Sequence, residues 1–120
     1  MRIRFRDFFE TLDECLETYH PNEDWREMTE CVTILDGVGL IGVAYLKPYK
    51  DKEELGIVIR KEYQGQGRGE KAIQDILKKA KGTVIAKVFK KNLPMVHLME
   101  KMGWEKYEDK LNFYMYKKTL

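Results

Sequence analysis

The chain is 120 residues long, 43% apolar and 35% charged, with a formal net charge of +2. That length accommodates one domain, residues 1–120, with a core of its own, and that composition excludes a disordered chain. The near-balance of charge gives no general reason to bind nucleic acid, a membrane surface or a polyanion. No apolar run reaches about 18 residues, and Cys15 and Cys31 lack the spacing of a zinc or disulfide scaffold.

Two cysteines without a pairing pattern, and an N-terminus without a secretory apolar stretch, predict a cytoplasmic protein. Residues 2–6 alternate basic and apolar side chains, with Ile3 and Phe5 on one face, which predicts a strand. A helix follows, because Asp7 and Glu10 have the spacing of a capping box and Phe8, Leu12, Leu16 and Tyr19 recur at helical intervals up to Pro21. Residues 22–28 read as a loop. From Cys31 to Tyr45 two β-rich runs flank Asp36-Gly37, a pair whose tolerance of positive φ suits a two-residue hairpin turn. Pro48 to Lys52 reads as a polar break, and Glu54 to Ile59 as a strand running into a glycine-rich turn.

Beyond the turn, Ala72, Ile73, Ile76, Leu77 and Ala80 form one apolar stripe of a helix, with Gly82 as its stop. Val84 to Phe89 reads as a strand. Asn92 is placed to cap a helix with Pro94 in its first turn and Gly103 at its end, and two strands, at 104–109 and 111–118, close the chain. This order of elements predicts an α/β (α+β) domain, a mixed sheet covered by helices. Lys78, Lys79, Lys81, Lys87, Lys90 and Lys91 are the richest basic run, a solvated surface with contact to a phosphate-bearing ligand as the alternative.

Gln64-Gly65-Gln66-Gly67-Arg68-Gly69 puts three of the nine glycines into five residues between an apolar strand and an amphipathic helix. Backbone without Cβ atoms can bend tightly and aim several N–H groups at one anion at the positive end of a helix, which suits a phosphate or diphosphate. A Walker loop needs Gly-Lys-Ser/Thr, but Gly69 is followed by Glu70, Lys71 and Ala72, and the dinucleotide fingerprint needs its third glycine at position 70.

The spacing that fits is Q-x-x-G-x-G, and on it the chain resembles the GNAT superfamily of N-acetyltransferases, in which such a turn binds the diphosphate of coenzyme A. The run from Glu54 to Gly69 is similar to the family's fourth strand and turn, and Asn92 to Trp104 to its later N…EK-x-G-F segment. The wording around Glu54 and Asn92 is most similar to the ribosomal-protein N-terminal acetyltransferases. The resemblance implies a mostly antiparallel sheet of about six to seven strands flanked by helices. It also implies acetyl-CoA as co-substrate without a metal, a primary amine as acceptor (protein N-terminus, lysine or small amine), direct attack in a ternary complex, and a monomer or homodimer.

By the same resemblance, Val58, Ile59 and Arg60 offer backbone groups to the pantetheine arm and thioester where two strands splay apart. Gln64, Gly65, Gln66, Gly67, Arg68, Gly69 and Glu70 surround the diphosphate, and Asn92, Met95 and Met99 border the cofactor from the next helix. An acceptor amine is largely protonated at neutral pH, so a base or water chain is needed. Glu54 matches an acidic position of similar enzymes and is the candidate base, a solvated strand-end carboxylate being its alternative. Where some relatives carry a glutamate on the fifth strand, this chain has Lys87. Many members place a leaving-group tyrosine seven residues after the asparagine; here that position is Met99, and Tyr63, Tyr107, Tyr114 and Tyr116 are substitutes or packing aromatics. Arg68 and Lys71 suit phosphates or an ordinary helix surface, Asn92 pantetheine or a cap, and Met95, Met99 and Met102 also read as core. The missing tyrosine leaves a coenzyme-A-binding or protein-interaction module without catalysis as the alternative function.

Overall fold

The computed structural model describes residues 27–36, 39–65 and 67–120. The strand expected over residues 2–6 and the helix expected after it lie outside these, as do Cys15 and nearly all of the expected loop. Among the described residues six strands form one sheet: β1 (Glu30–Asp36), β2 (Gly39–Tyr49), β3 (Lys52–Ile59), β4 (Thr83–Phe89), β5 (Glu105–Asp109) and β6 (Phe113–Thr119). Their order is β1-β2-β3-β4-β6-β5. Neighbours are antiparallel except β3 and β4, which are parallel and joined through helix α1 (Arg68–Leu77), as a parallel pair requires. Helix α2 (Leu93–Lys101) connects β4 to β5.

Both helices bury their apolar stripes on one face of the sheet. Ala72, Ile73 and Ile76 from α1 and Val96 and Met99 from α2 meet Ala44, Leu46, Leu55, Val84, Ala86, Val88 and Tyr116 from the strands. Alternation along each strand sends the other side chains to the opposite face, where Val43, Tyr45 and Val58 form a second cluster with Met28 and Cys31. Burial, then the neighbouring Glu30 charge, raises the Cys31 thiol above its ordinary range. No helix among the described residues is long and apolar enough to cross a membrane.

Asp36 pairs with Gly39, so the two expected β-rich runs form a hairpin, and residues 37–38 of its turn lie outside the described residues. Two other turns differ from the sequence-based expectation. The expected break at Pro48 to Lys52 shrinks to Lys50 and Asp51, with Lys50 at φ +56, because β2 continues through Pro48, which pairs with Glu53. Proline is tolerated there because its side of β2 lies beyond Glu30, where β1 has not begun. Helix α1 ends at Leu77 without using Gly82, which is not left-handed; Lys79 N–H and Ala80 N–H bond back to Ile76 and Leu77, and Lys81 N–H donates to Glu53 Oε1 at 3.0 Å.

The α2 signals hold in detail. Asn92 Oδ1 accepts from Met95 N–H at 3.3 Å, and Gly103 stands at φ +80. Gly103 N–H bonds to Glu100 O while Trp104 N–H reaches Met99 O, the paired bonds of a left-handed helix stop.

Candidate active site

The ladder between β3 and β4 consists of two pairs, Glu53 with Val84 and Glu54 with Ile85, after which the strands part. Main-chain groups alternate from one edge of a strand to the other, so the residues of β3 that face this gap follow from what the rest are bonded to. Arg60 N–H donates to Ile41 O on β2 at 2.8 Å, and the Val58 carbonyl is aimed at β2, since a Cβ on Gly42 would run into it. Ile57 and Ile59 therefore turn their main-chain groups toward the gap. Of the expected Val58, Ile59 and Arg60, only Ile59 presents backbone there; Ile57, which sequence reasoning missed, is the second.

The glycine turn closes the outer end of the gap. After a single 3-10 turn, Lys61–Tyr63, Gln64 Nε2 donates to Ile59 O at 2.9 Å and so holds the turn onto β3. Gly65 and Gly67 stand at φ +76 and +78, and a Cβ on either would meet nothing within 4 Å, so the left-handed backbone is what demands glycine and open space lies beside it. Gln66 lies outside the described residues. Gly67 is the N-cap of α1 and has no side chain to satisfy the helix's first amides. The first bond back is Lys71 N–H to Gly67 O at 3.4 Å, which leaves the Gly69 and Glu70 amides for an anion at the positive helix end. Gly69 is under neither constraint: its φ is not positive, and a Cβ there would make ordinary 3.7 Å contacts with Ile57, Ile59 and Leu98 methyls.

Side chains around the turn divide between structure and site. The Glu70 carboxylate is held by Lys101 at 3.1 Å, tying α1 to α2 and turning that side chain away from the glycine turn. The Arg68 guanidinium lies 5.6 Å above the Tyr63 ring, and Lys71 pairs with Asp75 at 3.5 Å. Arg68, Lys71 and Gly67 border a recess of about 350 Å³ between α1 and β1. The Asn92 side chain is used as a cap. Met95 is half-buried against the core, and Met99 has no exposed surface, so its side chain fills the core and offers no contact to a ligand.

On the face away from the helices, Glu54 stands at the last paired position before the gap, with Lys47 across from it on β2. Glu53 points the other way, accepting from Lys81 N–H and from Thr29 Oγ1 at 3.2 Å, which makes it structural. Of the four tyrosines considered, Tyr107 shares the Glu54 environment. Burial first, then the charges of Glu108, Tyr49 and Glu54, raise its hydroxyl above the ordinary phenol range, so it stays protonated at neutral pH. Tyr116 is fully buried, and its hydroxyl has no hydrogen-bond partner among the described residues. Among the described residues no group of three His, Cys, Asp or Glu side chains is placed to hold a metal ion.

Solved structures share this fold. An IAA acetyltransferase from Bacillus cereus aligns with a TM-score of 0.75 at 16% identity, over 90% of this chain and 91% of that one. A GNAT-family acetyltransferase from Streptococcus pneumoniae aligns at 0.58 and 20%, over 68% of this chain and 61% of that one. A phosphinothricin acetyltransferase from Sinorhizobium meliloti, solved with acetyl-CoA, aligns at 0.66 and 21%, over 75% of this chain and 60% of that one. At these identities the likeness establishes the fold. No curated protein matches the chain by sequence. The model of the acetyltransferase (GNAT) family matches residues 1–104, which takes in β1 through α2 with the gap, the glycine turn and the Asn92 cap. The chain therefore belongs to the acetyltransferase (GNAT) family and is an acetyltransferase.

Proposed function

We propose that the protein moves the acetyl group of acetyl-CoA to a primary amine by direct attack in a ternary complex. The observation that carries this reading is the gap opened by the two-pair β3–β4 ladder and closed by a turn with two left-handed glycines. Acetyl-CoA supplies an activated acyl group on a thiol. The amides of Gly65, Gly67, Gly69 and Glu70 hold its diphosphate at the start of α1, with Arg68 beside them, and the Ile57 and Ile59 main chains bind the extended arm. Glu54, at the apex of the gap, takes the amine proton as the N–C bond forms; the C–S bond breaks and its electron pair leaves on sulfur. The site works in the cytoplasm and needs no metal.

Calorimetric titration with acetyl-CoA, followed by steady-state kinetics with amines, tests this. Saturable binding and intersecting initial-rate lines are expected; absence of binding overturns the reading. The core position of Met99, where similar enzymes carry a tyrosine, favours the second reading of a coenzyme-A-binding module without transfer. Tight binding with no product from any amine would establish that reading.

A further inference from the structure

Resting on that reading of the site, we infer that the acceptor is a small amine bearing an oxyacid group, and that Lys87 on an aromatic platform is what recognises it. Lys87 lies beside the gap, on the face of the sheet that carries Glu54. On β4, Val84, Ala86 and Val88 point into the helix-side core, so Lys87 and Phe89 project from the same face as Glu54. Ile85 is the last residue of β4 to pair with β3, opposite Glu54, and Lys87 is the next position outward on that face. With about 3.3 Å of rise per residue and about 4.8 Å between strands, its Cα lies at least about 8 Å from that of Glu54. An acceptor whose amine reaches Glu54 and whose acid reaches Lys87 therefore bridges the two strands across the gap.

Lys87 is also held ready. Its ammonium lies 4.4 Å from the centroid of Phe113 and 5.3 Å from that of Phe89, and the two rings meet edge to face at 6.3 Å. Rings attract a cation without neutralising it, and two of them fix a side chain that otherwise wanders. Lysines on the neighbouring strands find carboxylates: Lys106 pairs with Glu100 and Lys117 with Glu105. Among the described residues none pairs with Lys87. Phe89 is 55% exposed, so the platform is open to a solute. A polyamine or a lysine in a basic segment would bring a second positive charge onto this ammonium, and an acid would meet its complement.

The test uses the full chain with saturating acetyl-CoA and matched acceptors: 4-aminobutanoate against butan-1-amine, L-methionine against L-methioninamide, and spermidine. The first pair differs only in the acid, and the amide stands for a peptide N-terminus. The acid member of each pair is expected to be preferred at least tenfold in kcat/KM. Lys87→Met, which keeps a chain on the rings without charge, is expected to abolish that preference by raising KM for the acids with kcat kept. Lys87→Arg is expected to retain it. Equal or better use of the partner without the acid or of spermidine, or an unchanged preference in Lys87→Met, overturns this inference alone. No transfer to any acceptor with acetyl-CoA still bound overturns the transfer reading with it.

Discussion

Alanine at Gly67 isolates what the left-handed turn contributes. Gly67 stands at φ +78, and a Cβ there meets nothing within 4 Å, so G67A adds no clash. Its cost is conformational: an L-residue held in the left-handed region loses about 1–2 kcal/mol. Gly69 is the internal control, since it lies inside α1 and its Cβ would make ordinary 3.7 Å contacts with the methyls of Ile57, Ile59 and Leu98. Glycine to alanine within a helix returns about 0.5–1 kcal/mol, so G69A is expected to melt at or above the parent. At about 4 °C per kcal/mol for a domain of this size, the two variants should separate by roughly 6–12 °C.

The same melts with acetyl-CoA test the site. A ligand at about 100 times its Kd that binds only the native state adds about 2.7 kcal/mol, or about 10 °C. If Gly67 relaxes out of the left-handed region, the amides that follow no longer converge, and G67A should lose more than half of that increment. G69A, whose methyl points into the protein, should keep it. A G67A protein that melts with the parent and keeps its full increment would refute both the assignment of the anion site and the reason given for the glycine.

Glu54→Gln should lower kcat by about 10²-fold with little change in melting temperature, and the deficit should shrink as pH rises toward the acceptor amine's own pKa; parental turnover at neutral pH, followed by thiol release, removes Glu54 from the reaction. Gly56→Ala places a Cβ against the Tyr45 ring, which lies across the strand pair, and should cost about 1–3 kcal/mol of overpacking in urea melts. A second change, Tyr45→Leu, should restore part of it, and a neutral G56A would contradict the packing described. At alkaline pH the Tyr107 and Tyr116 hydroxyls, both raised chiefly by burial, hold their protons more tightly folded than unfolded. The stability they contribute is therefore complete below about pH 10 and lost as pH climbs through their folded values. Phenolate absorbance should show two late-titrating tyrosines, and Tyr107→Phe should flatten the alkaline decline.

What the sequence made legible was what depends on neighbours along the chain. A switch from strand period to helix period around three glycines located the turn and the start of α1, and Asn92 and Gly103 announced both ends of α2 because caps are local chemistry. What it hid depends on partners far away. Whether Val58 or Ile57 faces the gap is decided by which edge of β3 bonds β2, and an alternating apolar strand carries no mark of that. Lys101 is 31 residues from Glu70 and claims its carboxylate, and the Glu53 side chain belongs to Lys81 N–H and Thr29. Pro48 looked like a break because proline lacks an N–H, yet among the described residues that edge of β2 has no neighbour at this point.

The buried Met99 shifts the chemical demand from acid to base. A thiol with a pKa of about 8.5 leaves as a thiolate with little penalty at neutral pH, whereas an alkyl amine of pKa about 10.4 is protonated in all but about one molecule in 2,500 at pH 7. Losing a proton donor to the sulfur therefore costs less than losing the acceptor of the amine's proton, and a methionine in the core is compatible with transfer provided that the Glu54 side stays intact. The fold serves that asymmetry. Glu54 sits on the last bonded pair of β3 and β4, and beyond it the strands part toward the glycine turn. Moving the carboxylate one residue along β3 would place it at Glu53, on the helix face and already engaged, so of the two neighbouring glutamates Glu54 is the one that suits the base in the proposed reaction.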